Sequence, residues 1–168
     1  MESAEKNKLF SDIVVRYSEK LYWTIRRIVL NHDDANDVMQ NVFVKAWNNL
    51  EQFQERSNIY TWLYRIAINE SLDFLHRKRD FVAYDTDLSD GVGSRLIADE
   101  YFDGDATQAL LQEAIATLPD VQRIVFNLRY FEEMKYSDMS HLLNTSEGAL
   151  KASYHIAVKK IHDYIVSK

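Results

Sequence analysis

Residues 118–162 read LPDVQRIVFNLRYFEEMKYSDMSHLLNTSEGALKASYHIAVKKIH, which predicts a helix, a short second helix, a tight turn and a longer third helix. Pro119 suits the first turn of a helix, because its φ is already helical and its missing N–H is not needed there. Apolar residues then recur with the period of one buried stripe, at Val121, Ile124, Val125, Leu128 and Phe131. This order of elements is typical of a helix-turn-helix DNA reader, although an ordinary helical hairpin gives the same pattern.

Polar residues mark the ends of the two later helices. Ser137 is placed to cap the second helix, and either Thr145 or Ser146 is placed to cap the third. Gly148 falls in the first turn of the third helix, where glycine is about 1 kcal/mol less favourable than alanine in a helix interior. We therefore expect the backbone at Gly148 to approach a partner closely.

The third helix has two faces of different chemistry. We expect one face to be buried through its apolar residues, which are Leu150, Tyr154, Ala157, Val158, Ile161 and Ile165. The other face carries donors and cations suited to base edges and phosphates, which are Lys151, Ser153, His155, Lys159 and His162. The second face is the candidate DNA-binding surface.

The composition predicts an all-α globular protein. The 168 residues are 46% hydrophobic and 12% aromatic, with one proline and four glycines. The lack of cysteine excludes disulfides, thiolate metal sites and a cysteine nucleophile. No apolar run is long enough to cross a membrane, and residues 1–15 lack the layout of a signal peptide. We expect a cytoplasmic protein with no direct membrane insertion, no metal and no cofactor.

The formal net charge of −6 is unevenly distributed. Residues 1–80 carry 12 basic and 12 acidic side chains, residues 81–120 carry 1 and 9, and residues 121–168 carry 7 and 5. The regional charges are therefore 0, −8 and +2, so the acidity belongs to the middle of the chain and does not exclude DNA binding by either end. Because neither end is strongly basic, we expect weak affinity for DNA without a partner.

The pattern predicts two small helical domains, residues 1–80 and 106–168, joined by an acidic flexible linker over residues 81–105. Residues 80–105 hold three of the four glycines and show no helical stripe. An acidic spacer is the default interpretation. The alternative is that the segment imitates nucleic-acid charge, occupying a basic channel or shielding the C-terminal reader.

Three helices are predicted before the linker and one directly after it. The first spans about 6–30, the second opens at Asp33 or Asp34, and the third spans about 58–79. The helix after the linker spans 106–117. The third helix ends in four basic residues, whose positive charge also stabilises a helix C-terminus: His76, Arg77, Lys78 and Arg79.

Two strings resemble the extracytoplasmic-function (ECF) group of bacterial sigma-70 family sigma factors. Residues 33–80 contain the pattern D-A-x-D-x-x-Q-x-x-F followed by W-L-Y-R-I-A-x-N, and resemble the second conserved region of these proteins. Residues 118–161 resemble the fourth region. With the linker, the resemblance covers nearly the whole chain. It implies promoter recognition, DNA opening and transcription initiation with RNA polymerase core, and no enzymatic activity.

The resemblance implies a role for particular residues of the N-terminal domain. Asp37, Gln40 and Phe43 match the helix that binds the β′ clamp helices of core polymerase, although Asp37 could merely stabilise a helix start and Asn41 replaces the usual glutamate. Residues 53–59 match the loop that captures an unstacked base of the −10 element; a plain helix connector is the alternative. The residues assigned to −10 DNA are Gln54, Ser57, Asn58, Arg65, Arg77, Lys78 and Arg79.

In the C-terminal domain the resemblance implies contacts with the −35 element and with the β flap. The matching residues of the third helix of the motif are Gly148, Lys151, Ala152, His155 and Lys159. Lys151 suits the O6 and N7 acceptors of guanine. Arginines common in the family are absent at Ser153, Ile156 and Val158, so we expect fewer phosphate contacts. An anti-sigma factor, often membrane-anchored in this family, is a further implied partner.

Two other classes of function remain as alternatives. A self-sufficient helix-turn-helix regulator would bind duplex DNA alone, but it gives the string around Asp37 and Gln40 no purpose. An enzyme would need metal ligands such as Asp33, Asp34 and Asp37, or a histidine pair. The sequence has no phosphate-binding glycine loop, nucleophile elbow or HExxH motif to support one.

Overall fold

The computed structural model describes residues 2–53, 58–81 and 104–168, except for the side chains of residues 79–81. Within these ranges the chain forms helices and turns with no β-strand, which confirms the predicted all-α fold. The chain divides into two compact units, residues 1–84 and 85–168, which are described separately. The acidic segment predicted as a linker lies almost entirely outside the described residues.

The described residues of the N-terminal unit form three long helices that pack through their apolar faces. They are α1 (Ser3–Val29), α2 (His32–Asn49) and α3 (Ile59–Phe81), with a short 3-10 helix at Leu50–Gln52. Its core includes Ile13, Leu21, Ile25, Ile28, Val38, Val42, Ala46, Leu50, Leu63, Ala67, Ile68 and Leu75. A pair of charged side chains, Lys45 and Glu70, joins α2 to α3.

The junction between α1 and α2 is only two residues long. Leu30 ends α1 in the left-handed region, with φ 69°, and the Asn31 side chain accepts a hydrogen bond from the Asp34 N–H at 3.1 Å. Helix α2 begins at His32, one residue before the predicted Asp33, because the Asn31 side chain provides the cap. Both aspartates instead lie in the first turn, where a negative charge is favourable.

Over residues 104–168, the C-terminal unit forms four helices around a small core. They are α4 (Ala106–Ala116), α5 (Asp120–Tyr130), α6 (Tyr136–Leu143) and α7 (Glu147–Val166). One cluster of buried side chains consists of Ala114, Ile115, Leu118, Phe126, Ala157 and Ile161. The buried Arg123 side chain fixes the turn between α4 and α5, since it donates to the Leu118 carbonyl and to Asp120 Oδ1, both at 2.9 Å.

Several predicted details of the motif were wrong. Val121 is 64% exposed, because α5 becomes buried only from Arg123 onward. Val158 and Ile165 are also exposed, since the buried stripe of α7 is a narrow one along Leu150, Ala157 and Ile161. Ser137 does not cap α6. That helix begins one residue earlier and follows Lys135, which makes no side-chain capping bond.

Candidate nucleic-acid and protein interfaces

The helix-turn-helix is formed by α6, a three-residue turn and α7. Asn144 ends α6 in the left-handed region, with φ 50°, a conformation that asparagine tolerates better than most residues. The Thr145 hydroxyl donates to the Leu143 carbonyl at 3.1 Å. The Ser146 hydroxyl accepts from the Ala149 N–H at 3.2 Å, which makes Ser146 the cap of α7. Of the two predicted candidates for this cap, Ser146 is therefore the one used.

The predicted DNA-binding residues of α7 lie together on its exposed side. Their spacing of three or four residues places them on one face of the helix, and each is exposed: Gly148, Lys151, Ala152, His155 and Lys159. Ser153 is half-buried, unlike the neighbours with which it was grouped. The exposed face thus offers two lysines, a histidine and a stretch of small side chains that allow close approach.

Nothing in the surrounding structure requires a glycine at position 148. A Cβ built on Gly148 meets no atom within 4 Å, and its backbone has no left-handed φ that would favour glycine. The residue is exposed in the first turn of α7. The close approach of the Gly148 backbone to a partner stays a prediction.

Behind this face, Tyr154 and its neighbours form an aromatic layer. The Phe126 ring is stacked with those of Tyr130 and Tyr154, with centroids 5.1 Å and 5.8 Å away. Desolvation by burial, followed by the neighbouring Tyr136, raises the pKa of Tyr154 above its ordinary value of 10.0. Tyr154 is therefore a neutral phenol at physiological pH and adds no negative charge beneath the cationic face.

The exposed side of α2 carries two of the three residues predicted to bind polymerase. Asp37 and Gln40 are exposed, and Val44, four residues after Gln40, is 59% exposed on the same side. Phe43 is half-buried, with its ring 6.2 Å from that of Phe10 at an interplanar angle of 90°. Phe43 thus helps to hold α2 against α1, and Val44 is an exposed apolar residue that the sequence interpretation missed.

Of the residues assigned to −10 DNA, Asn58 and Arg65 lie at the start of α3, while Gln54 and Ser57 lie outside the described residues. The Asn58 side-chain oxygen accepts a hydrogen bond from the Thr61 N–H at 3.0 Å, which caps α3. Arg65 is exposed. Asn58 therefore has a structural role, and any contact with DNA has to be compatible with it.

The basic end of α3 is partly used by the fold. The Lys78 Nζ lies 2.8 Å from the Asp34 carboxylate, which connects the end of α3 to the start of α2. Arg77 is exposed, whereas the side chain of Arg79 is not described. At this end of α3, Arg77 is the described arginine whose side chain is exposed to a phosphate.

The aromatic residues near the start of α3 belong mainly to the core. Tyr64 is 2% exposed, and Trp62 is half-buried with its ring 5.2 Å from that of Phe53. Leu63 is fully buried. These rings are packed within the unit and are not a free stacking platform.

None of the described helices is both long enough and apolar enough to span a bilayer. Within the ranges that the structure covers, no three acidic or histidine side chains are grouped closely enough to hold a metal ion.

Comparison with known protein families matches each of the two units. Residues 13–81 match Sigma-70 region 2, and residues 108–161 match Sigma-70 region 4. The ECF RNA polymerase sigma factor SigW of Bacillus subtilis is 32% identical, over 87% of this chain and 83% of that protein. The ECF RNA polymerase sigma-E factor of Haemophilus influenzae is 29% identical, over 94% and 88% of the two chains.

Solved structures show the same fold. The sigma factor RpoE from Bartonella quintana, in complex with the anti-sigma factor NepR, has a TM-score of 0.71 at 20% identity, covering 94% of this chain and 97% of that one. CnrH, in complex with the cytosolic domain of CnrY, has a TM-score of 0.68 at 20% identity, covering 96% and 90%. The match to region 2 leaves a self-sufficient helix-turn-helix regulator without support. The chain belongs to the ECF group of RNA polymerase sigma factors, which bind core polymerase and promoter DNA to initiate transcription.

Proposed function

We propose that the two units divide the work of this sigma factor between distinct surfaces. The exposed side of α2 binds core polymerase, and the exposed side of α7 enters the major groove of the −35 element. On both surfaces the side chains proposed to contact the partner, apart from Phe43, are exposed. The observation that carries the proposal is this pair of exposed faces, one mixed polar and apolar, the other cationic.

For the polymerase surface, Asp37, Gln40 and Val44 provide the groups that a protein interface needs. An exposed valine between polar side chains can be buried by a partner, while a carboxylate and an amide one turn apart fix the register by hydrogen bonds. Phe43 contributes indirectly, because its ring packs against Phe10 and holds α2 against α1. The partner we infer is the β′ clamp helices, with the β flap contacted by the C-terminal unit.

For the −35 surface, Lys151 reads a guanine, and Gly148 and Ala152 let the helix backbone approach the groove. His155 and Lys159 lie further along the same face, where they can donate to bases or phosphates. The small number of cations explains why this unit needs polymerase to hold the DNA, since each phosphate contact adds to affinity through counterion release.

For the −10 element, we propose that the loop before α3 and the exposed cations of α3 bind the opened strand. Asn58, Arg65 and Arg77 are the described residues available for this role. Lys78 joins them only if it leaves Asp34. The chain performs no chemistry of its own, since it positions the promoter for the polymerase.

We also infer an anti-sigma factor as a regulatory partner. One solved neighbour of the same fold, the sigma factor RpoE, was crystallised with the anti-sigma factor NepR, and a second, CnrH, was solved in complex with the cytosolic domain of CnrY. A partner of this kind would act by covering the surfaces on α2 and α7. The support is likeness of fold alone, and co-purification from the native cell would test it.

In vitro transcription with purified core polymerase is the direct test of the proposed function. We expect promoter-dependent initiation by the wild-type chain and none without it. A self-sufficient regulator would instead bind duplex DNA tightly in the absence of polymerase. Failure to bind core or to support initiation would overturn the proposal.

A further inference from the structure

Side chains from three helices of the C-terminal unit meet at the ring of Tyr136. Tyr136 is the first residue of α6 and is half-buried. The Lys151 Nζ, from α7, lies 5.6 Å from the ring centroid, and the Arg129 Cζ, from α5, lies 4.9 Å from it. Both distances fall within the range of a cation–π contact.

The backbone just before Tyr136 is held against the end of α5. Arg129 Nη1 donates to the Met134 carbonyl at 3.0 Å, and the Met134 N–H donates to the Leu128 carbonyl at 3.1 Å. Glu133 adopts a left-handed φ of 50°, which turns the chain between α5 and α6. The backbone that carries the Tyr136 ring is therefore held in place by hydrogen bonds between α5 and the turn before α6.

Lys151 is the kind of residue that benefits from such a contact. Its side chain has four rotatable bonds on an exposed helix face, so ordering it on DNA costs rotamer entropy. A ring that already confines the ammonium removes part of that cost before binding. The aromatic face is suited to this task, since it attracts the cation without neutralising it as a carboxylate would.

We propose that Tyr136 is a positioning residue that holds the Lys151 ammonium for base readout, so that discrimination at the base pair read by Lys151 depends on the Tyr136 ring. The inference rests on the proposed function of Lys151. Tyr136 itself need not touch DNA. Its effect passes through Lys151, which distinguishes it from a residue that only stabilises the fold.

The contact can be tested without DNA, by NMR of the lysine ε-methylene signals in the full chain. The Lys151 signal, assigned with Lys151→Arg, is expected to be shifted upfield by the ring current of Tyr136. Tyr136→Phe should keep that shift and Tyr136→Leu should abolish it. An unshifted Lys151 signal in the wild-type chain, or the same shift in a folded Tyr136→Leu variant, would overturn the contact.

The consequence for readout is tested by transcription with core polymerase from promoters that differ at single −35 base pairs. The pair read by Lys151 is the one whose preference is lost in Lys151→Ala. Tyr136→Leu should reduce that preference about two- to fivefold, the usual size of an exposed cation–π contact, while Tyr136→Phe behaves as wild type. In the Lys151→Ala background, Tyr136→Leu should not change the preference at this base pair any further.

The variants separate the failure of this inference from that of the proposed function. If Lys151→Ala leaves every −35 preference unchanged, the role assigned to Lys151 fails and the inference fails with it. If Lys151→Ala removes a preference but a folded Tyr136→Leu variant retains it, the inference alone is overturned. If the double variant loses more −35 preference than Lys151→Ala alone, the inference about Tyr136 is also overturned, because the effect of Tyr136→Leu would then not pass through Lys151.

Discussion

The two units use their lysines in opposite ways. In the N-terminal unit, Lys45 pairs with the buried Glu70, and Lys78 pairs with Asp34, so both ammonium groups join α2 to α3. In the C-terminal unit, Lys151 and Lys159 stand on the exposed face of α7. A lysine that pairs with a carboxylate has its charge neutralised before any partner arrives. Lys151 and Lys159 keep their charge for a partner, since the ring beside Lys151 attracts its ammonium without neutralising it.

This difference shows why net charge is a poor guide to the function of this chain. The C-terminal segment 121–168 has an excess of only two basic residues, yet it places lysines along one helix face. The N-terminal segment 1–80 has as many basic as acidic residues, and part of its positive charge is used in ion pairs. What decides DNA binding is the number of cations left unpaired on one surface.

The largest effect should come from breaking one core and leaving the other intact. Ile115 is fully buried in the C-terminal unit, and Ile115→Ala is expected to lower the free energy of unfolding of that unit by about 2–5 kcal/mol. The three tryptophans, at 23, 47 and 62, all lie in the N-terminal unit. We expect the units to fold independently. Circular dichroism should therefore show the loss of stability, while the unfolding transition followed by tryptophan fluorescence should be unchanged.

The matched control is Leu63→Ala, in the N-terminal core, where Leu63 is fully buried. It should lower the tryptophan-monitored transition. If Ile115→Ala and Leu63→Ala shift the tryptophan-monitored transition equally, the two units unfold together. The contrast between them would then fail.

The next effect concerns the exposed lysines of α7. Lys151→Ala is expected to cost about 1–3 kcal/mol at one −35 base pair. It should change the stability of the unit by less than about 1 kcal/mol, because the exposed side chain loses only its contact with the Tyr136 ring. Lys159→Ala should instead weaken binding to all sequences alike. Measuring promoter binding by holoenzyme against salt concentration separates the two, since only loss of a phosphate contact lowers the salt slope, by about 1.

A smaller effect is expected from the lysine that joins helices. Lys45→Ala should lower the stability of the N-terminal unit by about 1–2 kcal/mol, because it leaves the Glu70 carboxylate, which is 5% exposed, without this partner. Urea unfolding followed by tryptophan fluorescence measures this loss. Adding Glu70→Gln should recover part of it. If Lys45→Ala costs no more stability than Lys151→Ala, the contrast between the two units is wrong.

The smallest effect separates capping from DNA binding at Asn58. Asn58→Ala should cost about 1 kcal/mol of stability through loss of the cap on α3. Asn58→Ser keeps an oxygen that can cap and removes the side-chain amide. We expect Asn58→Ser to restore stability but to open the −10 region less well than wild type, as measured by permanganate reactivity of the opened strand. If Asn58→Ser opens the −10 region as well as the wild type does, Asn58 serves only as a helix cap.

The sequence was informative where residue type and period are enough. The helix order, the all-α fold and the turn at 144–146 follow from apolar period and capping chemistry, and the structure agrees with them. The exposed face of α7 also follows from spacing, because residues three and four apart share a side of a helix.

The sequence was uninformative where a residue's role depends on a distant neighbour. Lys78 resembles a phosphate-binding cation until Asp34, 44 positions earlier, is seen beside it. Val121 fits the buried stripe by period, but the contact that buries α5 begins after it. Val44 was overlooked because an exposed valine has no local signature, although its spacing of seven from Asp37 placed it on the same face.

The most direct test of the division of labour is equilibrium binding of labelled core polymerase to three proteins: wild type, Asp37→Ala and Lys151→Ala. We predict that Asp37→Ala weakens core binding about tenfold or more, whereas Lys151→Ala binds core like wild type and loses only −35 preference in transcription. Unchanged core binding by Asp37→Ala, or an equal loss by Lys151→Ala, would contradict the assignment of polymerase to α2 and promoter readout to α7.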